Sequence, residues 1–333
     1  MDDSLFLLVL IIIAALGFGV SNGLNDAANA IATVIGSRVL SARNAIIMAV
    51  IANLAGTLSG ALLGAYVAKT IGKGIVDPEQ ITLATVIAGV AAALIWVLAA
   101  TYYGMPLSVS HALVAGLLGA GIATAGTDAI VWGVMTKVLL AVLFAPLLGF
   151  AGGFGIMVII MWLFRRSTLH RVNNIFSKLQ ILSSAFMAYT HGKNDGQMPI
   201  GIIALGLTIY SGEEFHIPLW VIFASAASVA LGITFGGWRV IKTVGTRITT
   251  LRPVHGSAAE LSGAAVIEAA SNLGIPVSTT QSISGSVMGV GAARRLSAVR
   301  WGVARSMVIA WVLTFPICTA LGWLLSGALN LID

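Results

Sequence analysis

The stretch "SNGLNDAANAIATVIG", residues 21–36, directly follows the apolar run "LFLLVLIIIAALGFGV", residues 5–20. Such a run is long enough to enter a bilayer, where a spanning helix needs ~20 mostly apolar residues. Ser21, Asn22, Gly23, Asn25, Asp26 and Asn29 are out of place in that setting. A charge at the bilayer centre costs at least about 2.5–3.5 kcal/mol, so stability alone favours Ala or Leu there. A second stretch, "THGKNDGQMPIGIIAL" at 190–205, repeats the pair: Asn194-Asp195 lies 169 positions after Asn25-Asp26.

Composition sets the class. Of 333 residues, 58% are hydrophobic and only 9% are charged, with a mean hydropathy of +0.99. A soluble domain carries about 25% charged residues, so this chain reads as an all-α polytopic membrane protein. Its 38 glycines lie inside apolar segments, as close helix packing and broken helices require. The start, with Asp2 and Asp3 and no cleavage signal, reads as a retained first helix and not a signal peptide. Cys318 is the only cysteine, which excludes an intramolecular disulfide. The net charge of +6 is scattered over short connectors, which excludes a nucleic-acid-binding surface.

Apolar runs place candidate spans near 4–37, 44–68, 81–103, 105–124 and 129–164, then near 178–210, 216–240, 253–274, 276–293 and 301–331. One set of connectors is basic, holding Arg38 and Arg43, then Arg165, Arg166, Arg171 and Lys178, then Arg239 to Arg252, then Arg294 to Arg300. The alternate connectors hold Asp77, Glu79, Asp128, Glu213 and Glu214. The positive-inside rule makes the first set cytoplasmic and puts both termini outside. The expected organisation is a first unit at 1–164, a cytoplasmic connector at 165–177 and a second unit at 178–333.

The second recurrence is longer. "GMPLSVSHALVAGLLGAGIA", residues 104–123, returns as "GIPVSTTQSISGSVMGVGAA", residues 274–293, at an offset of 170. Two different motifs in the same order at nearly one offset point to a duplication. Two units of about five spans each then face opposite ways, as inverted-topology repeats. Such repeats, with broken helices and re-entrant half-helices, mark secondary transporters, and some channels share them.

The two motifs differ in chemistry. Asp26 and Asp195, with oxygens of Asn22, Asn25, Asn29 and Asn194 and with carbonyls freed by helix breaks at Gly23 and Gly192, are suited to a hard cation such as Na⁺. A proton on either carboxylate is the rival coupling ion. The Pro-x-Ser-x-Ser/Thr motifs read as half-helix starts, with proline in the first turn and hydroxyls able to cap free amides. Ser108, Ser110, Ser278, Thr279 and Thr280 then supply donors at a positive helix end, which suits an oxyanion, with Asn25 and Asn194 also expected to bind it. No Arg lies in these motifs and Lys193 is their one cation, so bound sodium would serve as counter-charge. No nucleophile-base pair, phosphate loop or metal-spaced His and Cys set is present, which excludes an enzyme acting on phosphate groups. An uncoupled anion channel would use the same half-helices, but has little use for the carboxylates.

"GLNDAANAIATVIGS", "HGKNDGQMPIG" and "GIPVSTTQSISGSVMGVG" resemble signatures of the inorganic phosphate transporter (PiT) family, in the order that family has them. The resemblance covers nearly the whole chain. It implies cation-coupled symport of inorganic phosphate across the cytoplasmic membrane, by sodium or protons, with sulfate as the cargo of some relatives. It also implies a homodimer and, for short forms, a soluble accessory protein. No cofactor is implied beyond the coupling ion. Gln281 replaces the histidine that usually follows Ser-Thr-Thr, Asn53 stands where some relatives have Glu, and Met198 follows Gln197 where several have Lys. Glu260 matches an acidic position of the family and is expected at a cation site or gate. Glu268 is expected to pair with a buried polar group, and His111 to cap its helix. Lys193 is expected to contact the anion, to snorkel or to pair with Asp195.

Overall fold

The computed structural model describes residues 3–329; Met1, Asp2 and residues 330–333, on which the expected external termini fall, lie outside them. Thirteen α-helices and no strand beyond an isolated bridge occur among the described residues. The first half holds α1 (Asp3–Gly36), α2 (Ala42–Leu62), α3 (Tyr66–Lys73), α4 (Leu83–Tyr103), α5 (Val109–Ala125) and α6 (Trp132–Leu163). The second holds α7 (Leu169–Asp195), α8 (Met198–Ser211), α9 (Leu219–Phe235), α10 (Trp238–Lys242), α11 (Pro253–Asn272), α12 (Thr279–Arg294) and α13 (Trp301–Leu329). Six helices are long and apolar enough to cross a membrane, and α9 with the bent segment after it makes a seventh. α7 and α11 have the length, but they carry Gln180, His191, Asp195 and Glu260. Leucine, isoleucine and phenylalanine side chains of α6 and α13 face outward while polar residues are buried, as a hydrocarbon solvent dictates.

Three expectations need correction. No break occurs at Gly23, because α1 runs unbroken through Asn25-Asp26. A Cβ on Gly23 would stand 2.2 Å from the Val229 carbonyl oxygen of α9, and one on Gly192 2.1 Å from the Asn53 carbonyl oxygen of α2. These glycines let helix backbones touch, which is the use small residues have between membrane helices. The one break falls after Asp195, where α7 stops and α8 begins at Met198 with Pro199 in its first turn. The 165–177 segment is not all connector either. From Leu169 it is helix, capped by Thr168, with Val172, Ile175 and Phe176 turned inward and Phe176 packed edge-on to Phe164 at 5.3 Å. Its other face is polar, and an average over apolar runs misses such a segment. The span expected at 44–68 ends at Leu62, with α3 as a separate short helix.

α4 with α5, and α11 with α12, form two helical hairpins. The base of the first is closed by backbone bonds from Asp77 to Ala129 and from Val131 to Ile75, so the chain enters and leaves at one end. Arg300 to Ile248 closes the base of the second. At the tips, Gly104 and Gly274 end α4 and α11 with φ of +69° each, a left-handed cap that glycine adopts without strain. The Gly104 carbonyl accepts from Thr243 Oγ1 at 3.0 Å, five residues ahead of the second hairpin's base at Ile248. The Gly274 carbonyl accepts from Thr70 Oγ1 at 2.6 Å, five residues ahead of the first hairpin's base at Ile75. The tip of each hairpin therefore sits at the base of the other, and the two point in opposite directions.

Packing crosses between the halves in matched pairs. α1 packs on α9 and α7 on α2, while α5 packs on α13 and α12 on α6. Two apolar cores result. Ile11, Ala15 and Phe18 of α1 enter one with α4, α5 and α8; Ala27, Ile31 and Val34 enter the other with α7, α11 and α12. The polar stretch of α1 lies between them.

The crossing at Gly23 is testable. Gly23→Ala should lower the stability of the purified protein in detergent by about 1–3 kcal/mol, since backbone and not a flexible side chain must yield. Gly17→Ala meets nothing within 4 Å and should unfold at the parent temperature. Equal unfolding temperatures for both variants would show that the crossing does not hold α1 on α9.

Candidate functional site

Helical spacing assembles one wall of the site. Asn22, Asp26, Asn29 and Thr33 succeed one another along one face of α1, and all four are buried. The end of α7 supplies His191 and Asp195, four residues apart and so also on one face. The start of α12 supplies Thr279 and Thr280.

These three elements meet. Thr279 Oγ1 donates to Asp195 Oδ2 at 2.8 Å and stands 3.4 Å from Asp26 Oδ2, while Thr280 Oγ1 donates to Asp26 Oδ1 at 2.9 Å. Asn29 Nδ2 donates to both threonine hydroxyls at 3.0 Å. His191 Nε2 lies 3.4 Å from Asp195 Oδ2 and 3.8 Å from Asp26 Oδ2. Ligand atoms of Asp26, His191 and Asp195 all fall within 4.8 Å of one another. The other ring nitrogen of His191 contacts Asn53 Nδ2 at 2.7 Å, and Asn22 Nδ2 reaches the Asp195 carbonyl at 3.5 Å.

The unpaired atoms define what the site accepts. Asn22 Oδ1, Asn29 Oδ1 and Asp195 Oδ1 are buried without a hydrogen-bond donor, and Asn25 Oδ1 is another such oxygen on α1. A hydrogen bond to a charged group contributes about 1.5–3 kcal/mol net. One buried charge at membrane depth costs at least about 2.5–3.5 kcal/mol. The threonine donors thus offset the two carboxylates at best in part, and the orphan oxygens that remain fit a hard cation.

At the first turns of α5 and α12 the backbone donors are free. Ser108 and Ser278 are the N-caps of α5 and α12, accepting from the amides of His111 at 3.2 Å and Gln281 at 3.1 Å. The amides of Val109, Ser110, Thr279 and Thr280 have no partner among the described residues, as first-turn amides lack one within the helix. Ser110 Oγ donates to the Val277 carbonyl at 3.2 Å, so the first turn of α5 abuts the strap leading into α12. Two positive helix ends converge beside two carboxylates.

The phosphate transporter family matches residues 22–322 of the chain. It belongs to that family. A probable low-affinity inorganic phosphate transporter of Rhizobium meliloti is 43% identical over 98% of this chain and 97% of its own length. One of the same description from Bacillus subtilis is 42% identical over the whole of both. A solved structure titled as the sodium-dependent phosphate transporter superposes with a TM-score of 0.88 at 27% identity, covering 98% of this chain and all of the other. The chain is thus a phosphate transporter and not an enzyme, a multi-pass protein of the cell membrane.

Other expected site residues of the transporter lie apart from the cluster. The Asn25 side chain turns to α4, donating to Thr101 Oγ1 at 2.8 Å. Asn194 donates to Ser271 Oγ at 2.9 Å and to the Ile275 carbonyl at 3.2 Å, and accepts from the Val277 amide at 3.2 Å. It therefore holds the strap before α12. Glu260 forms a separate buried cluster, accepting from Thr33, Ser183 and, at 3.2 Å, Gln180 Nε2. Thr33 is seven residues beyond Asp26 on α1, a rise of about 10 Å. Lys193 pairs with Glu268 and Asn272 and not with Asp195. His111 caps nothing; its ring nitrogens are unpartnered and it packs against Phe315 at 5.9 Å. His191 was missed in the sequence, although its four-residue spacing to Asp195 was the available signal.

Asn194→Ala should leave the Val277 amide buried and unpaired and remove two donated bonds, at a cost of about 1–3 kcal/mol for the stranded group alone. Asn25→Ala, which loses one bond to a threonine, should cost less. Thermal unfolding of the purified variants ranks them. The reverse order would show that the strap is held by other contacts.

Proposed function

We propose that the protein is a cation-coupled symporter of inorganic phosphate, with sodium as the coupling ion. The observation that carries this reading is the pairing of two buried carboxylates and orphan amide oxygens with two converging, unpaired helix N-termini. Sodium at Asp26 and Asp195, with Asn22 and Asn29 supplying neutral oxygens, would cancel the charge that otherwise repels an oxyanion. The free amides of α5 and α12 would then take phosphate, with Ser110 and Thr280 adding donors. Each ligand raises the other's affinity by the same factor, since linkage is reciprocal. Asn25 and Asn194 would act through the elements they hold, and Glu260 as a further cation position along α1. The opposed hairpins support two halves inverted about this site, joined on the cytoplasmic side near 165–177.

One observation supports a second reading, coupling to protons. His191 Nε2 has no hydrogen-bond partner and stands between the two carboxylates, where a proton is an alternative to a metal ion. Uptake of labelled phosphate into proteoliposomes separates the two. The sodium reading requires uptake driven by an inward sodium gradient at fixed pH, with labelled sulfate competing poorly. Uptake that follows only a pH gradient would replace sodium by the proton.

Asp26→Asn and Asp195→Asn should each abolish coupled uptake while the protein still inserts. Thr280→Ala should weaken phosphate binding at saturating sodium by about 1.5–3 kcal/mol, the range for a hydrogen bond to a charged group. Titration calorimetry measures the latter. Parent-like uptake and ion dependence in both Asp variants would reduce these residues to hydrogen-bond partners of Thr279 and Thr280.

A further inference from the structure

The two halves are filled unequally. Between α4 and α13, Trp96 donates to Thr314 Oγ1 at 3.0 Å, and Trp311 donates to the Pro106 carbonyl at 3.1 Å. At the 170-residue offset relating Pro106 to Pro276, the matching positions hold Val266 and Ala141. Where indoles would stand, a groove of about 650 Å³ opens between α6 and α11, lined by Val266, Ala141, Phe144 and Leu148 and reaching Ile275 and Val277. Lys137 is its one charged lining residue, exposed and in no ion pair among the described residues, whereas its counterpart Met307 is buried.

We propose that this groove seats an acyl chain of an anionic phospholipid, with the Lys137 ammonium on the lipid phosphate. Leu148 and Leu273 at its edge are 54% and 75% exposed, so the groove opens toward hydrocarbon and not toward an aqueous pore. An empty groove would forfeit dispersion contacts along its walls, which a chain restores without desolvating any polar group. Along α11 it runs from Leu273 back to Ser262, about 16 Å at 1.5 Å per residue, close to half of a ~30 Å hydrocarbon core. Lys137 lies near the start of α6, five residues after the exposed Trp132, in the end region where lysine and tryptophan meet headgroups. The groove floor matters to transport. The Val277 amide is held by Asn194 and its carbonyl by Ser110, so a seated chain buttresses the strap that presents Thr279 and Thr280.

The test uses the full chain in nanodiscs of equimolar phosphatidylglycerol and phosphatidylcholine, extracted gently, with bound lipid counted by native mass spectrometry. The parent should retain phosphatidylglycerol over phosphatidylcholine about fivefold, the effect of one lysine at an anionic headgroup. Lys137→Gln should retain lipid but lose the preference. Ala141→Trp, which restores the indole of the filled half, should lose one lipid per chain; Val266→Phe plugs the groove with less bulk should that variant not fold. An unchanged lipid count in the folded plugged variants overturns the proposal, as does a parent without lipid preference. A dimer that Ala141→Trp splits without loss of lipid assigns the groove to a second copy, and also overturns it.

Discussion

Asp26 and Asp195, from different halves of the chain, share one buried point and are tied to it by the hydroxyls of Thr279 and Thr280. Much else in the fold follows from keeping two carboxylates there. α1 must pass through intact to present Asp26 between Asn22 and Asn29, so its backbone donors stay within the helix. α7 ends at Asp195, whose carboxylate accepts from Thr279 of α12. Both helices must come close to neighbours without side chains in between, which is why Gly23 and Gly192 lie on backbone oxygens of α9 and α2. The two apolar cores on either side of the polar stretch supply the burial that sustains it.

The two opposed hairpins bring two helix N-termini together, and the differences between them account for the chemistry. Thr279 bridges both carboxylates, but its counterpart in the first half is Val109. Asn25 and Asn194 make matched bonds to Thr101 and Ser271, yet only Asn194 also takes a backbone amide, that of Val277. The polar extension from Asn29 through Thr33 to Glu260 is likewise one-sided, since position 90 carries Val where position 260 carries Glu. A symmetric site would bind its ligands equally from both faces. Differences worth one or two hydrogen bonds, each about 0.5–1.5 kcal/mol, are enough to give the two faces different affinities.

Glycine and tryptophan mark the same contrast on a larger scale. α5 and α12 lie against long helices of the opposite half through glycine faces, whereas the crevices flanking them differ by two indoles. One crevice is closed by protein. The other is left to whatever solvates it, within reach of the strap that carries the α12 motif.

The amino-acid sequence by itself determined the membrane class and most helix limits, and its two recurring motifs singled out Asp26, Asp195, Thr279 and Thr280. Those readings depend on composition and spacing, which are local properties. Helix caps were also legible, because Ser108 and Ser278 bind amides only three residues away. Tertiary structure alone decided that glycine before each Asn-Asp pair serves contact and not a break, since a close approach depends on where another helix lies. It alone turned Asn25 and Asn194 away from the cluster and brought His191 into it, because a side chain's partner across more than seventy residues is chosen by packing. The start of α7 at Leu169 belongs with these: a half-polar helix is stabilised by what its apolar edge meets, here Phe164, and not by its average composition.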